Sequence, residues 1–478
     1  VPALLVQGIA GSGKTSVLLQ RIAYLFYKER DNLDPGDVFL ITPNPVFGRY
    51  IDNVLPDMGE SNPAILTWDD LMARLGLAGR GIGKMEDLSV FRAIDEDLGR
   101  AFLDRDDFCD IRLGAEKVLS AASARASFDK FGHLPLGPHR STLAIEDMQE
   151  KVAQRILRLA KDEDEQDALL ELSTEEQIAI FGQVVLPLGD EELPERTRQW
   201  LAWRYREVDR MIEEGAWLRL DRFGRRLLGK ETLDAAEWLY LRLALLGGGQ
   251  RRARYVMIDE VQDYTLPQLA VLARYFPQAH FLMLGDQNQA VRPGTADFRD
   301  IRRLFGEAVG SVDECFLNIS YRSSPEITAL FCKLLPPDQQ VKAESVQRPG
   351  EAPVIIEEAD PAAYEDALRQ AVRAAAAEGG LSALIANSRS RARALAQMLE
   401  GEPLHMLPED GELPGEGVVL LDVKLAKGLE FDRVVVPDAS ARVFPVNDLA
   451  RRRLYTTISR ATRHLTILSN GDLTELLG

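Results

Sequence analysis

The sequence predicts an α/β chain built from two doubly wound parallel sheets, the first interrupted by a long helical insertion. Three observations carry this expectation. Short apolar runs at residues 3–7, 37–42, 255–258 and 281–284 have the length and composition of strands buried on both faces. A glycine-rich loop at residues 8–15 separates the first run from residues 16–27, whose apolar positions recur at helical spacing, giving strand, loop and helix in succession. From about Cys315 the same alternation returns, with strands expected at 354–357, 382–386, 418–422, 434–436 and 465–468 and helices near 362–377 and 389–400. Strands that alternate with helices form parallel sheets, because each helical crossover returns the chain to the same end of the sheet.

Between these halves, residues 80–249 read as amphipathic helices, for example 146–161 and 194–214, with an acidic run at 162–167. The expected boundaries are therefore 1–79 and 250–314 for the first α/β domain, 80–249 for the insertion and 315–478 for the second domain. Residues 335–352, rich in Pro, Gln and Glu, read as a loop.

The formal net charge of −18 argues against a protein that coats nucleic acid by bulk electrostatics, which needs a broad Lys/Arg surface to release counterions. Local basic strips at 251–254 and 451–453 are candidate contacts, though such strips are more commonly solvated surface. Cys109, Cys315 and Cys332 lie far apart and form no zinc or disulfide pattern, as in reduced cytoplasmic proteins. No apolar run is long enough to span a bilayer, and no secretory signal precedes the first motif. The chain opens on Val1 with the first strand following at once, so it reads as a fragment lacking its natural N-terminus.

Gly8-Ile9-Ala10-Gly11-Ser12-Gly13-Lys14-Thr15 has the spacing of a phosphate-binding loop in the strand-to-helix context that reading requires. Gly8, Gly11 and Gly13 let backbone N–H groups, with that of Ser12, turn around phosphate oxygens, and the helix N-terminus adds its positive end. Lys14 is expected to reach the β- and γ-phosphates of ATP and Thr15 to ligate Mg²⁺. Asp259 and Glu260 end the run at 255–258, at the strand end where open α/β sheets bind ligands. There Asp259 would hold Mg²⁺ through water, and Glu260 would orient and deprotonate the attacking water.

Taken with residues 8–25, four further strings after Asp259-Glu260-Val261-Gln262-Asp263 resemble the ordered motifs of the UvrD/Rep class of superfamily 1 helicases. They are Gly285-Asp286-Gln287-Asn288-Gln289, Ser320-Tyr321-Arg322-Ser323, Lys427-Gly428-Leu429-Glu430-Phe431 and Tyr455-Thr456-Thr457-Ile458-Ser459-Arg460-Ala461. The resemblance implies two RecA-like domains with ATP between them. It implies that Gln289 senses the γ-phosphate, Tyr321 stacks on adenine, Glu430 meets the ribose or γ-phosphate, and Arg322 and Arg460 act as arginine fingers. Singly, a Tyr-Arg pair is ordinary surface packing; the order of the motifs makes the case.

Two departures narrow the resemblance. Only about a hundred residues separate Arg322 from Lys427, too few for the inserted domain of DNA-unwinding relatives. Gln289 is followed by Ala290 and Val291 where DNA translocases typically carry base-stacking aromatics. Residues 41–51, with 54–56 and 59–60, resemble HelD, the bacterial factor that uses a UvrD-like motor on RNA polymerase. The expectation is a cytoplasmic, monomeric ATPase working on core RNA polymerase. The alternatives are a single-stranded DNA translocase and a nucleotide-gated scaffold.

Overall fold

The computed structural model describes residues 1–43, 55–56, 59, 61–81, 87–185, 189, 192–340, 344–408 and 413–478. Most of the HelD-like segment, residues 44–54, 57–58 and 60, lies outside them. The chain divides into two compact units, one made of Val1–Gly76 and Arg251–Gly478, the other centred on Asp87–Gln250.

In the first unit, β1 (Ala3–Gly8), β2 (Val38–Ile41) and β3 (Ala64–Leu66) come before the inserted unit and its hairpin, β4 (Ile111–Leu113) and β5 (Glu116–Leu119). The sheet resumes with β6 (Tyr255–Ile258), β7 (His280–Gly285) and β8 (Val312–Leu317). Its order is β3-β2-β6-β7-β1-β8, with every neighbouring pair parallel. Because the strands are parallel, the C-terminal ends of β1, β6 and β7 open on the same side. The glycine loop, the Asp259-Glu260 pair and Asp286 are thereby brought together.

After the short parallel pair β9 (Ile319–Ser320) and β10 (Glu344–Ser345), a second sheet forms from β11 (Val354–Glu358), β12 (Leu381–Ala386), β13 (Leu404–Met406), β14 (Gly417–Asp422), β15 (Phe431–Val436) and β16 (Ala461–Asn470). It too is parallel throughout, in the order β11-β16-β15-β12-β14-β13. One apolar cluster joins Ile9, Ala10 and Val291 of the first half to Phe331, Val419, Phe431 and Tyr455 of the second. Burial of this surface fixes the glycine loop from behind, since apolar area removed from water is the main favourable term in packing.

Several boundaries differ from the sequence reading. Strand β8 carries the first sheet on to Leu317, past residue 314, because Val6 and Gly8 of β1 pair with Cys315 and Leu317. Strands β3 and β13 have three residues each, too short for a periodicity to register. Residues 335–352 are not wholly loop, since they hold a helical turn at Pro337–Gln340 as well as β10.

The second unit is mostly helical but contains the β4–β5 hairpin, which an all-helical reading omits. Helix Pro138–Leu159 starts well before residue 146, with proline in the first turn, where its missing N–H costs nothing. The single helix expected over 194–214 is two, Leu193–Arg204 and Arg206–Glu213. They break at Tyr205, whose buried ring donates its hydroxyl to Glu116. The acidic run begins helix Glu163–Leu170, where Asp162 caps the Asp164 N–H and the carboxylates meet the positive end of the helix. At this unit's centre Phe108, Phe128 and Trp217 pack with ring centroids 5.7–6.0 Å apart. Fully buried Asp107 accepts from Arg222 and Arg226 at 2.6 and 2.7 Å, so its charge is paired rather than stranded.

Candidate functional site

The glycine loop runs directly out of β1 into helix Lys14–Lys28. Gly13, just before the helix, takes the left-handed conformation (φ 76°, ψ 22°), which a side chain would resist. Gly11 (φ 73°) is needed twice over, because a Cβ there would stand 2.6 Å from that of Arg322. The Tyr321 N–H donates to the Gly11 carbonyl at 2.8 Å, so the 320–322 segment is seated against the loop. Lys14 folds back, its Nζ donating to the carbonyls of Gly8 (2.9 Å) and Ile9 (3.2 Å). Burial lowers its pKa, so its ammonium gains from any anion that reaches it. The Ser12 hydroxyl is buried without a partner, while Thr15, second in the helix, is half-buried.

At the end of β6, Asp259 is buried and Glu260 keeps 24% of its side chain open to solvent. Glu260 is the only non-glycine among the described residues with positive φ (48°), a conformation that costs about 1–3 kcal/mol and persists where surrounding bonds impose it. Those bonds run from the Asp263 N–H to the Glu260 carbonyl (2.8 Å) and from the Gln262 amide to the Glu260 carboxylate. The two acids diverge. Burial, with Glu260 alongside, pushes Asp259 up to about 7. Burial alone would also raise Glu260, but Lys427 and Lys14, with the Gln262 hydrogen bond, hold it below the ordinary carboxylate range. One site thus holds a carboxyl that gains from a cation beside one that is ionised and reachable by water.

The second half closes on this site through three side chains. Lys427 donates to Asp263 at 2.6 Å and to the Gln289 carbonyl at 3.0 Å, and stands 3.7 Å from Glu260. Arg460, 2% exposed, donates to the Gln289 side-chain oxygen at 2.9 Å. Its other nitrogens are held by the carbonyls of Thr456 (3.1 Å) and Leu429 (3.2 Å). Burial, and then Arg322, lower its pKa to about 10. Gln289 in turn donates to Asp286 at 2.8 Å. Tyr455 donates to Asp286 at 3.0 Å and accepts from the Ala10 N–H at 3.0 Å.

Arg322 pairs with Glu430 at 2.8 Å on the rim, where Glu430 is 61% exposed. Beside them opens a cleft of about 900 Å³, lined in part by Gln347, Arg348, Asp432 and Arg463. Tyr321 is more than half exposed. The structure thus gathers Gly8, Gly11, Ser12, Gly13, Lys14, Thr15, Asp259, Glu260, Gln289, Arg322 and Arg460 around the loop, with Tyr321 and Glu430 at its edge. Ala290 and Val291 are buried, Val291 in the shared apolar cluster. The basic strips are largely engaged within the chain. Arg252 pairs with Asp34 and Asp37, Arg254 with Glu29, and Arg451 with Asp448 and the Leu334 carbonyl.

Sequence reasoning assigned no part to Lys427, Tyr455, Asp286 or Gln262, although all four lie inside the motif strings. Their signal in the sequence was their place inside those strings; that helix Asp448–Ile458 buries Leu454, Tyr455, Thr456, Thr457 and Ile458 in succession is not announced by any amphipathic spacing.

Residues 417–468, from β14 into β16, match the family described as UvrD-like helicase C-terminal domain. The chain is similar to a solved structure, the C-terminal domain of a possible DNA helicase from Lactobacillus plantarun WCFS1. The identity is 29%, over 33% of this chain and 92% of that one, at a TM-score of 0.28. No curated protein matches. The 417–468 match points to a superfamily 1 helicase-type domain in the second sheet. Among the described residues, no helix is long and apolar enough to cross a membrane.

The raised Asp259 predicts a pH signature. With a folded pKa near 7 against an ordinary 3.8, the folded chain keeps a proton that the unfolded chain releases, so this group's contribution to stability declines as pH rises through that window. Asp259→Asn lacks that proton. Thermal unfolding should therefore show the variant gaining on the parent from acid to neutral pH, and parallel pH profiles would refute the assignment.

Proposed function

We infer that this chain is the motor portion of a superfamily 1 protein in which two RecA-like halves hydrolyse Mg-ATP, and that its load is RNA polymerase, as in HelD. The chain of contacts that carries the reading runs from the phosphate loop through Asp286 and Gln289 to Arg460. It links the loop and carboxylates of one sheet to a buried arginine of the other, and phosphoryl transfer needs charge stabilisation from both sides of the nucleotide.

The residues present fit a Mg-nucleotide. Asp259 gains from a cation, Thr15 stands at the helix start, the buried Ser12 hydroxyl lacks a partner, and Gly11 and Gly13 take the left-handed conformation that turns the loop. Mg²⁺ held by Thr15 and Asp259 would neutralise phosphate charge. Glu260, ionised and open to solvent, is placed to take the proton of the attacking water. Lys14 exchanges its carbonyl partners for phosphate oxygens. Gln289 and Arg460 stabilise charge from the far side, and Arg322 does so from the rim. Tyr321, Glu430 and the adjoining cleft receive the nucleoside end; the cleft lies within the usual range of about 300–1,000 Å³ for ligand sites.

The choice of load rests on three features: the burial of Ala290 and Val291, the short interval between Arg322 and Lys427, and the net charge of −18. A single-stranded DNA translocase is the second reading, favoured by the helicase match at 417–468. A scaffold that binds ATP without turnover has no use for a water-accessible, ionised Glu260.

Glu260→Gln should bind ATP with near-parental affinity and lose hydrolysis by about a hundredfold or more. Parental turnover in that variant would remove Glu260 from the reaction. ATPase rates measured with single-stranded DNA and with core RNA polymerase separate the loads: stimulation by polymerase supports the first reading, whereas strong, steeply salt-dependent stimulation by DNA overturns it.

A further inference from the structure

The Tyr455 side chain is completely buried, and its one hydroxyl serves two groups at once. It donates to Asp286 Oδ2 and accepts from the Ala10 N–H, each at 3.0 Å. Ala10 lies in the phosphate loop, 1% exposed, and Asp286, 3% exposed, follows β7. The same Asp286 Oδ2 accepts from Gln289, whose oxygen holds Arg460. The ring is fixed edge-on to Phe331, with centroids 5.4 Å apart at 83°, inside the cluster that spans both halves. Burial and the Asp286 carboxylate hold the phenol protonated, which keeps the direction of both hydrogen bonds fixed.

We propose that Tyr455 is a positioning residue that sets the register of the phosphate loop and the alignment of Gln289 and Arg460 together, through its paired hydrogen bonds to Ala10 and Asp286. Displacing the loop at Ala10 pulls on the phenol. The ring is held in its apolar seat, so the hydroxyl is a fixed point to which Ala10 and Asp286, and through Asp286 the Gln289 amide, are both registered. Arrival of phosphate in the loop and presentation of Arg460 then become one event rather than two. The alternative is that Tyr455 is only a large core side chain, in which case its hydroxyl has no kinetic consequence. The proposal rests on the ATPase reading and adds to it how the two sides are aligned.

Tyr455→Phe keeps the ring and deletes both bonds. Steady-state ATP hydrolysis by the full chain, well below its melting temperature, should show kcat reduced about tenfold or more with KM for ATP changed less than about threefold, because Lys14 and the loop amides remain. In combination with Gln289→Ala the losses should be clearly less than multiplicative, since both variants cut the same chain. Asp286→Asn, measured the same way, tests the other end and covers a Tyr455→Phe chain that fails to fold; it should show the same split between kcat and KM. A kcat within about twofold of the parent, or multiplicative losses in the double variant, would overturn the proposal and leave the ATPase reading standing. A parent chain that neither binds a fluorescent ATP analogue nor hydrolyses ATP would overturn both.

Discussion

The interaction on which the site depends is the shared acceptance of hydrogen bonds by Asp286. A buried carboxylate is costly unless its oxygens are satisfied, and here Tyr455, Gln289 and the Asn288 backbone N–H all converge on it. Two of these donors lead elsewhere: Tyr455 to the phosphate loop, Gln289 to Arg460. Removing the carboxylate would strand groups in both halves, which is why a short polar chain can govern a unit whose bulk is apolar.

Around that centre the sheet topology does the placing. Parallel strands deliver the ends of β1, β6 and β7 to one side, and the apolar cluster around Phe331 and Tyr455 holds the second sheet against them. The positive φ of Glu260 belongs to the same arrangement. Its strain is tolerated because Asp263, Gln262 and Lys427 bind the turn, and Glu260 keeps partial exposure while Asp259 stays buried. Two adjacent acids in one charged cluster thus reach opposite protonation tendencies.

The two sheets and the glycine loop were legible because short, uninterrupted apolar runs and a glycine-rich stretch leave strong one-dimensional signals. The ends of elements were less so. Strands β3 and β13 are too short to show a period, and β8 was split because its exposed edge residues Asp313 and Glu314 do not look like strand. Tyr205 divides one expected helix into two for a tertiary reason, its bond to Glu116, which lies far away in the chain. The motif strings come together in the structure, but which member of each string touches which could not be read from spacing. Tyr455 and Lys427 gain their partners only where the two sheets meet. Most arginines of the basic strips are engaged by nearby carboxylates and carbonyls, partners that the strips' own composition does not reveal.

If ATP is hydrolysed jointly by the two halves, Arg460 is the residue on which that claim stands. It is buried, and its planar fork serves Gln289, Thr456 and Leu429 at once, a geometry lysine cannot reproduce. Single-turnover hydrolysis of Mg-ATP by Arg460→Lys, with nucleotide affinity measured in parallel, tests the claim most directly. A fall in hydrolysis of about a hundredfold or more, with affinity nearly unchanged, is the expected result. Hydrolysis at the parental rate would contradict a joint site.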